Sequence, residues 1–203
     1  MPIEVDKFPS VPTLKYSDAR SQIRSGDILM CAGKSMYSRL IKFATGSIWT
    51  HVAFILRLDA IDRIFVFESV ETIGVRCVPL SFYVKNYDGK NHRYNGGMII
   101  GRHTDLNESH IKNFSTVAVD FLGYRYGTLD IAKITARILR NKFISRKECR
   151  APTRVRKNEY ICSEYAYECF KSVDVGISHD CLGFVTPADF AKTEEVNAVC
   201  EIR

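Results

Sequence analysis

The sequence predicts a single α+β domain, with strands gathered in its first half and helices in its second. The strongest β signal is a pair of β-branched and aromatic runs, residues 50–58 and 63–70, joined by the four-residue link DAID. Helical periodicity prevails after residue 107, without the strand-helix alternation of a parallel sheet. With 203 residues, 46% of them hydrophobic, the chain is long enough for one well-buried core, and we expect one domain over residues 1–203.

Each element of the first half follows from a local signal. The apolar run at residues 26–32 predicts a short buried strand after a turn. Residues 34–46 predict a helix that ends at Gly46, a residue type suited to a helix C-terminus. Residues 74–80 continue the hairpin as a further strand, with Pro79 near its end.

The second half begins with one more strand, at residues 96–103, and is otherwise helical. Asn107 is suited to cap the first helix and Asn158 the third, and Pro187 suits the first position of the fourth. The four predicted helices are residues 107–122, 127–140, 158–174 and 186–192.

Composition indicates a reduced, cytoplasmic chain. Seven cysteines are an odd number for a disulfide framework, and no stretch resembling a secretory signal precedes the predicted fold. The longest apolar runs fall far short of the roughly 20 residues that span a bilayer. We therefore expect free thiols and a cytoplasmic location, with at most a peripheral association with membranes.

Positive charge is concentrated between Arg137 and Lys157. This segment holds nine Lys or Arg residues and one Glu, whereas the whole chain has a net charge of +6, so the remainder is net acidic. The pattern predicts that Arg137–Lys157 is exposed and protease-sensitive, with the basic connecting segment of the domain at about residues 141–157. Either it is a solvated loop or it binds an anionic membrane surface or an acidic partner. Phe143 is its only aromatic residue, so the sequence does not favour nucleic acid as a partner.

Cys162 lies near the start of a predicted helix and admits two interpretations. It shares a helical stripe with Ala166, Cys169, Phe170 and Val173, which is typical of a thiol buried in the core. Alternatively, the unpaired N–H groups and the positive dipole end of a helix start favour a thiolate over a thiol. The same N–H groups can hold an oxyanion formed when the thiolate attacks a carbonyl.

A thiol nucleophile needs a base, and His51 is the best placed of the five histidines because it opens a strongly predicted strand. Pairing of the hairpin about its link sets Ala53 opposite Glu68, which makes Glu68 the diagonal neighbour of His51. A carboxylate there would fix the imidazole tautomer and stabilise the imidazolium, as in a Cys-His-acid triad. A one-residue slip in register would replace Glu68 by Glu71.

Five short motifs occur in the same order as in a known family. The motifs GDIL at residue 26, THVAFIL with His51, FES with Glu68, YICSEY with Cys162 and TPADF at residue 186 together resemble the circularly permuted branch of the NlpC-type papain-like cysteine hydrolases. That branch includes YiiX-like bacterial proteins, a poxvirus member and the lecithin retinol acyltransferase group. The resemblance covers residues 26–190.

The resemblance implies a permuted papain-like fold, in which a small antiparallel barrel-like sheet packs against a helix that carries the nucleophile at its N-terminus. It implies that Cys162 is the nucleophile, His51 the base and Glu68 the polar third member. This sequence departs from the family pattern in three respects. Thr50 precedes the histidine where Ser is common, Ala53 follows where Gly is usual, and the secretory signal of many bacterial relatives is absent.

Three further residues are expected at the substrate. The segment LGYRYGTLD resembles the tyrosine-bearing segment of the family, which makes Tyr126 a candidate wall of the cleft. Thr50 and Ser163, each next to a reacting residue in the chain, are the other candidates. A thiol hydrolase is then expected, one that cleaves an amide or isopeptide bond through an acyl-enzyme on Cys162, without a cofactor or metal.

Several alternatives stay open on the sequence alone. One alternative is an acyltransferase or lipase that acts on lipid acyl groups through a Cys162 thioester. Another is a non-catalytic binding module that uses the basic segment. A zinc site near His179 and Cys181 is disfavoured, since no CxxC pair occurs. The substrate is accordingly a peptide, an amide or an acyl lipid.

Overall fold

The computed structural model describes residues 1–127, 158–179 and 184–203, which form a mixed α+β fold. Its strands are β1 (Thr13–Leu14), β2 (Ile28–Gly33), β3 (His51–Leu58), β4 (Arg63–Val70), β5 (Gly74–Pro79), β6 (Gly96–His103), β7 (Arg125–Tyr126), β8 (Glu159–Tyr160) and β9 (Val196–Ile202). Its α-helices are α1 (Tyr16–Ala19), α2 (Met36–Thr45), α3 (Leu80–Lys85), α4 (Glu108–Asp120), α5 (Cys162–Lys171) and α6 (Pro187–Lys192).

Seven strands form one sheet in the order β1-β9-β6-β2-β3-β4-β5, and β7 and β8 form a separate two-stranded ribbon. Within the sheet β1 and β9 are parallel and the other neighbours are antiparallel. In the described residues the sheet is open, which corrects the expectation of a barrel-like sheet. Closure would need β5 to pair with β1, but the backbone at Val75 in β5 bonds to Gly123 and Tyr124 instead.

The hairpin of β3 and β4 confirms the strongest sequence prediction. Phe54 lies opposite Phe67, which is the register that was predicted from the position of the link. The link itself forms a short 3₁₀ turn at Asp59–Ile61 and ends at Asp62, whose φ of 46° lies in the left-handed region.

Apolar side chains bury both faces of the sheet, so the strands are held from two sides. On one face, Phe54 packs edge-on against Phe114 of α4 at 4.8 Å between ring centroids, and Tyr165 and Phe170 of α5 join the same core. The other face is covered by α1 and α3, with Tyr83 of α3 fully buried. The helix α5 therefore packs against β3 and β4, next to the edge strand β5.

Helix ends follow the predicted signals with one exception. Gly46 ends α2 in a left-handed conformation with a φ of 68°, the Asn107 side chain accepts a bond from the backbone at the start of α4, and Pro187 opens α6. Asn158 does not cap a helix, because the chain after it forms β8 and α5 begins only at Cys162.

Two sequence predictions lie outside the described residues. They are the helix at residues 127–140, beyond Gly127, and the basic connection at residues 141–157. Across the described ranges no helix combines the length and apolar character that crossing a bilayer requires.

Candidate functional site

A cleft of about 790 Å³ opens at the end of the sheet where β2 and β4 end and β3 and β5 begin. Cys162 and His51 both line it, although one begins a helix and the other begins a strand. The fold thus brings together two residues that are 111 positions apart in the chain.

His51 is oriented by a buried carboxylate on the neighbouring strand. The His51 Nε2 atom lies 2.8 Å from Glu68 Oε2, as the predicted hairpin register requires. The Glu68 side chain is inaccessible to solvent, whereas 17% of the His51 side chain is exposed toward the cleft. The carboxylate therefore fixes one ring nitrogen of His51 and leaves the other nitrogen available.

The Glu68 carboxylate is held by two further side chains. Arg76, directly opposite it on β5, places Nε and Nη2 each at 2.8 Å from Glu68 Oε1, and the Tyr83 hydroxyl donates a hydrogen bond to Oε2. Burial by itself would raise the pKa of Glu68, but His51, Arg76 and Tyr83 outweigh it and lower that pKa. Burial and the charge on Glu68 raise the pKa of Tyr83, so its hydroxyl keeps the proton that it donates.

The protonation of His51 follows from its two neighbours. Burial would lower the pKa of the imidazole, but the charge and hydrogen bond of Cys162, followed by those of Glu68, raise the pKa to about 10. At neutral pH the ring is therefore an imidazolium. Because Nε2 faces Glu68, Nδ1 is the nitrogen left for the sulfur of Cys162.

Cys162 is the first residue of α5, and 7% of it is exposed. The first N–H groups of a helix have no acceptor within the helix, and N–H groups in such a position can donate to an oxyanion. One N–H is already satisfied, because Ile161 donates to Glu164 Oε2 at 3.3 Å. The nucleophile, base and orienting acid expected from the sequence thus lie together.

The expected substrate-binding residues differ in their positions. Tyr126 on β7 lines the cleft, as does Thr50, whose hydroxyl bonds to backbone groups of β2 and so is used in holding the strands together. Ser163 is fully buried, and its hydroxyl donates to the carbonyl of Val185 at 2.7 Å, outside the lining of the cleft. The rival acid Glu71 is exposed on the cleft wall, and Glu68 is the one bonded to His51.

Sequence reasoning missed three residues of the site. Arg76 had a usable signal, since extending the predicted meander by one strand sets it opposite Glu68. No sequence signal indicated Tyr83, because its position depends on the short helix α3 that follows β5 and packs on the sheet. His92, which was not among the residues expected at the site, lines the cleft with Lys90.

Comparisons with known proteins give a fold. No family model matches the chain and no curated protein matches it. Among solved structures, the crystal structure of the metalloprotein yiiX from Escherichia coli O157:H7 aligns with 88% of this chain and 97% of its own, at 15% identity and a TM-score of 0.57. The two proteins share an overall fold.

Proposed function

We propose that this protein is a cysteine hydrolase that cleaves an amide or isopeptide bond through an acyl-enzyme on Cys162. One observation carries the proposal: a buried His51–Glu68 pair at 2.8 Å faces the thiol at a helix start, in a cleft open to solvent. Each role of a nucleophilic triad then has an occupant.

In the proposed reaction, His51 already holds the proton as an imidazolium paired with the Cys162 thiolate, and the thiolate attacks the carbonyl carbon of the substrate. The resulting oxyanion accepts bonds from the N–H groups at the start of α5. As the tetrahedral intermediate collapses, the imidazolium gives its proton to the leaving amine and a thioester remains. His51 then removes a proton from water, which attacks the thioester, so that a carboxylic acid is released and the thiolate–imidazolium pair is restored.

The chain order supports the finer assignment to a permuted papain-like hydrolase. His51 and Glu68 precede Cys162, which is the order of the circularly permuted NlpC-type branch that the motifs resemble. The fold shared with yiiX agrees with a YiiX-like relationship.

The description of yiiX as a metalloprotein raises the question of a metal in this chain. Within the described ranges no three His, Cys, Asp or Glu side chains cluster as metal ligands would. Both Glu68 oxygens already accept bonds from Arg76, His51 and Tyr83. The donor set therefore does not fit a metal, and the proposed reaction uses none.

Transfer or hydrolysis of a lipid acyl group is the second candidate. The observation in its favour is α2, which contributes Ser38 and Ile41 to the cleft and exposes Met36 and Leu40 to solvent. Apolar side chains exposed beside a reactive cleft suit a substrate that arrives from a membrane.

The test is to trap the acyl-enzyme. The purified chain is incubated with a panel of fluorogenic peptide amides and, separately, with phospholipid vesicles, then quenched in acid and mapped by mass spectrometry. We expect an acyl adduct on Cys162. The rate of adduct formation should fall by about 100-fold or more in His51→Ala. It should fall less in Glu68→Gln, whose amide cannot stabilise the imidazolium by charge. Adducts from amides support hydrolysis, and adducts from vesicles support the lipid reaction.

Cys169→Ala is the matched control, since Cys169 lies on the same helix within the apolar core. The Cys169→Ala variant should still form the acyl adduct on Cys162 and turn over substrate at an unchanged rate. Turnover that survives Cys162→Ala with either substrate class would contradict the proposal.

A further inference from the structure

The helix α2 has two faces of different character. Ser38 and Ile41 line the cleft, whereas Met36, Leu40 and Phe43, spaced four and then three residues apart, lie on the opposite face. Met36 is 85% exposed, Leu40 44% and Phe43 68%. Isolated exposed apolar residues are ordinary, but three on one helical stripe form a continuous apolar surface. We call these three residues the α2 stripe.

Cations accompany the α2 stripe. Arg39 lies exposed within the helix and Lys42 follows one turn later, whereas Lys34, before the helix, lines the cleft. Burial and the charge of Lys34 both lower the pKa of Lys42, so the two ammonium groups are near each other. Between residues 28 and 58 the sequence has no Asp or Glu, and no acidic residue of this segment offsets these cations.

One exposed apolar side chain also lies at the cleft. Ile73 lies in the turn between β4 and β5, is 57% exposed and lines the cleft. Its neighbour Thr72 has a φ of 68°, which fixes a tight turn at this rim. Ile73 is thus an exposed apolar side chain at the cleft itself, separate from the α2 stripe on the other face of α2.

We propose that α2 is an interfacial docking helix through which the protein binds the surface of an anionic lipid membrane. A helix of this kind inserts its apolar side chains at the boundary between headgroups and acyl chains, while Lys and Arg beside them meet lipid phosphates. The α2 stripe and its cations match both layers of that surface. A protein partner with an apolar groove would match the stripe but would leave the cations without a use.

Docking by α2 places the cleft one helix away from the lipid, because the cleft-lining face of α2 is the back of its docking face. The inference goes beyond the proposed chemistry and is measured without it. Binding to vesicles needs no turnover, so the Cys162→Ala variant should bind as the unchanged chain does.

The experiment is co-sedimentation of the full chain with two kinds of vesicle. One kind is phosphatidylcholine alone, and the other contains about one third phosphatidylserine, which supplies the negative surface potential. We expect binding to the anionic vesicles that weakens with added salt, and markedly less binding to the neutral ones. Arg39→Gln should weaken the anionic binding and reduce its dependence on salt.

The apolar contribution is tested by the double variant Met36→Gln/Leu40→Gln, which keeps good helix formers in α2. We expect its partitioning to fall by about tenfold or more, as two side chains lose burial in lipid. The matched control is Leu58→Gln/Ile61→Gln, since those residues are 50% and 57% exposed at the far end of β3. The control should bind as the unchanged chain does, and circular dichroism should show both variants folded.

Three outcomes would overturn the proposal. The first is equal binding to neutral and anionic vesicles or binding to neither. The second is an equal loss in the two double variants, which would make the effect a general loss of surface hydrophobicity. The third is a dimer in solution that the Met36→Gln/Leu40→Gln change dissociates, because a second copy of the chain would then be the occupant of α2.

Discussion

Four cysteines of the described chain have thiols whose pKa is raised chiefly by burial. Burial raises the pKa of Cys77 and of Cys200 to about 11, and it raises those of Cys31 and Cys169 as well. Cys162 differs from them in facing a His51 imidazolium at a helix start. Its histidine neighbour therefore distinguishes Cys162 from these four thiols.

Selective alkylation tests this difference. Brief iodoacetamide treatment of the native protein at roughly pH 6 should label Cys162 at least about tenfold ahead of the others, because only a thiolate reacts. Cys77 is the informative control, since it is more accessible than Cys162 but lacks a cationic partner. Peptide mass mapping gives the order of labelling.

His51→Ala should remove the preference, because the thiolate then keeps only the weaker effect of the helix terminus. Preferential labelling of Cys77 in the folded protein would mean that accessibility governs reactivity. The apolar stripe of α5 would then be the whole explanation of Cys162.

The charge on His51 gives a prediction about pH. An imidazole ordinarily loses its proton near pH 6.5. Because Cys162 and Glu68 raise the pKa to about 10, the ring should stay protonated through pH 8 and lose its proton only in alkaline solution. NMR titration of the ring resonances measures the midpoint directly.

The Cys162→Ala variant should move that midpoint down toward 6.5, since the larger of the two raising interactions is then gone. His92, exposed on the same cleft, serves as the internal reference. A ring that titrates at the same pH with and without the thiol would show that Cys162 and His51 do not interact.

Residues of the site were predictable from sequence where one hairpin determined their positions. The alternation of β3 and β4 about a short link was enough to set Glu68 beside His51. The contact of Cys162 with the sheet depends on packing between distant elements, which periodicity does not encode, and it was inferred from motif order. Tyr83 reaches Glu68 through a turn after Pro79 that carries no such signal.

At the scale of elements, the start of α5 is tied to the rest of the molecule on two sides. Ser69 of β4, next to Glu68, donates to the carbonyl of Tyr160 at 2.7 Å, and Ser163 donates to Val185 at the same distance. These bonds fix the first turn of the helix relative to both the sheet and the segment before α6. Precise placement of the nucleophile depends on them.

Ser69→Ala is therefore expected to act on both stability and reactivity. Loss of a fully buried hydroxyl removes the shorter of the two hydrogen bonds that the Tyr160 carbonyl accepts, the other coming from the Gly127 N–H, and should lower the free energy of unfolding by about 1 kcal/mol. The labelling rate of Cys162 should fall as well, because the start of α5 shifts relative to His51. Urea unfolding and timed alkylation measure the two effects.

The matched control is Ser172→Ala. Ser172 also donates to a backbone carbonyl, that of Cys169 at 2.6 Å, but it is exposed at the other end of α5. That variant should leave the labelling rate unchanged. Equal effects of the two changes on Cys162 would exclude a specific role of Ser69 in positioning.

Two elements differ from their prediction for local reasons. The helix was expected from Asn158, but that residue has a φ of 75°, and Tyr160 pairs with Tyr126 in the ribbon of β7 and β8. The strand β9 was missed although residues 196, 198, 200 and 202 alternate as apolar positions. Its alternation is interrupted by the apolar Val199, which weakened a signal that was present.

For the whole molecule, the cleft and the strands β9 and β1 lie toward opposite edges of the sheet. The cleft lies among β2, β3, β4 and β5, whereas β9 is three strands away from β3 in the order of the sheet. The α+β class was predictable from the order of the local signals. The open sheet was not predictable, because the pairing of β9 with β1 and β6 joins segments that are far apart in the sequence.

This separation predicts that stability and reactivity can be changed independently. Ile202 of β9 is fully buried and lies opposite Leu14 of β1, so Ile202→Ala removes packing remote from the cleft. The free energy of unfolding should fall by about 2–5 kcal/mol, as for other large-to-small changes in a core. The labelling rate of Cys162 in the folded protein should not change, in contrast to Ser69→Ala.

Arg203→Ala is the control beside it, because the Arg203 side chain is largely exposed and the change should stay within about 0.5 kcal/mol. Both variants are followed by urea unfolding and by alkylation under conditions in which the protein remains folded. Slower labelling of Cys162 in Ile202→Ala would mean that the core around β9 and the start of α5 move together. The sheet would then transmit strain across three strands, and the geometry of His51 and Cys162 would depend on the whole core rather than on the hairpin and α5.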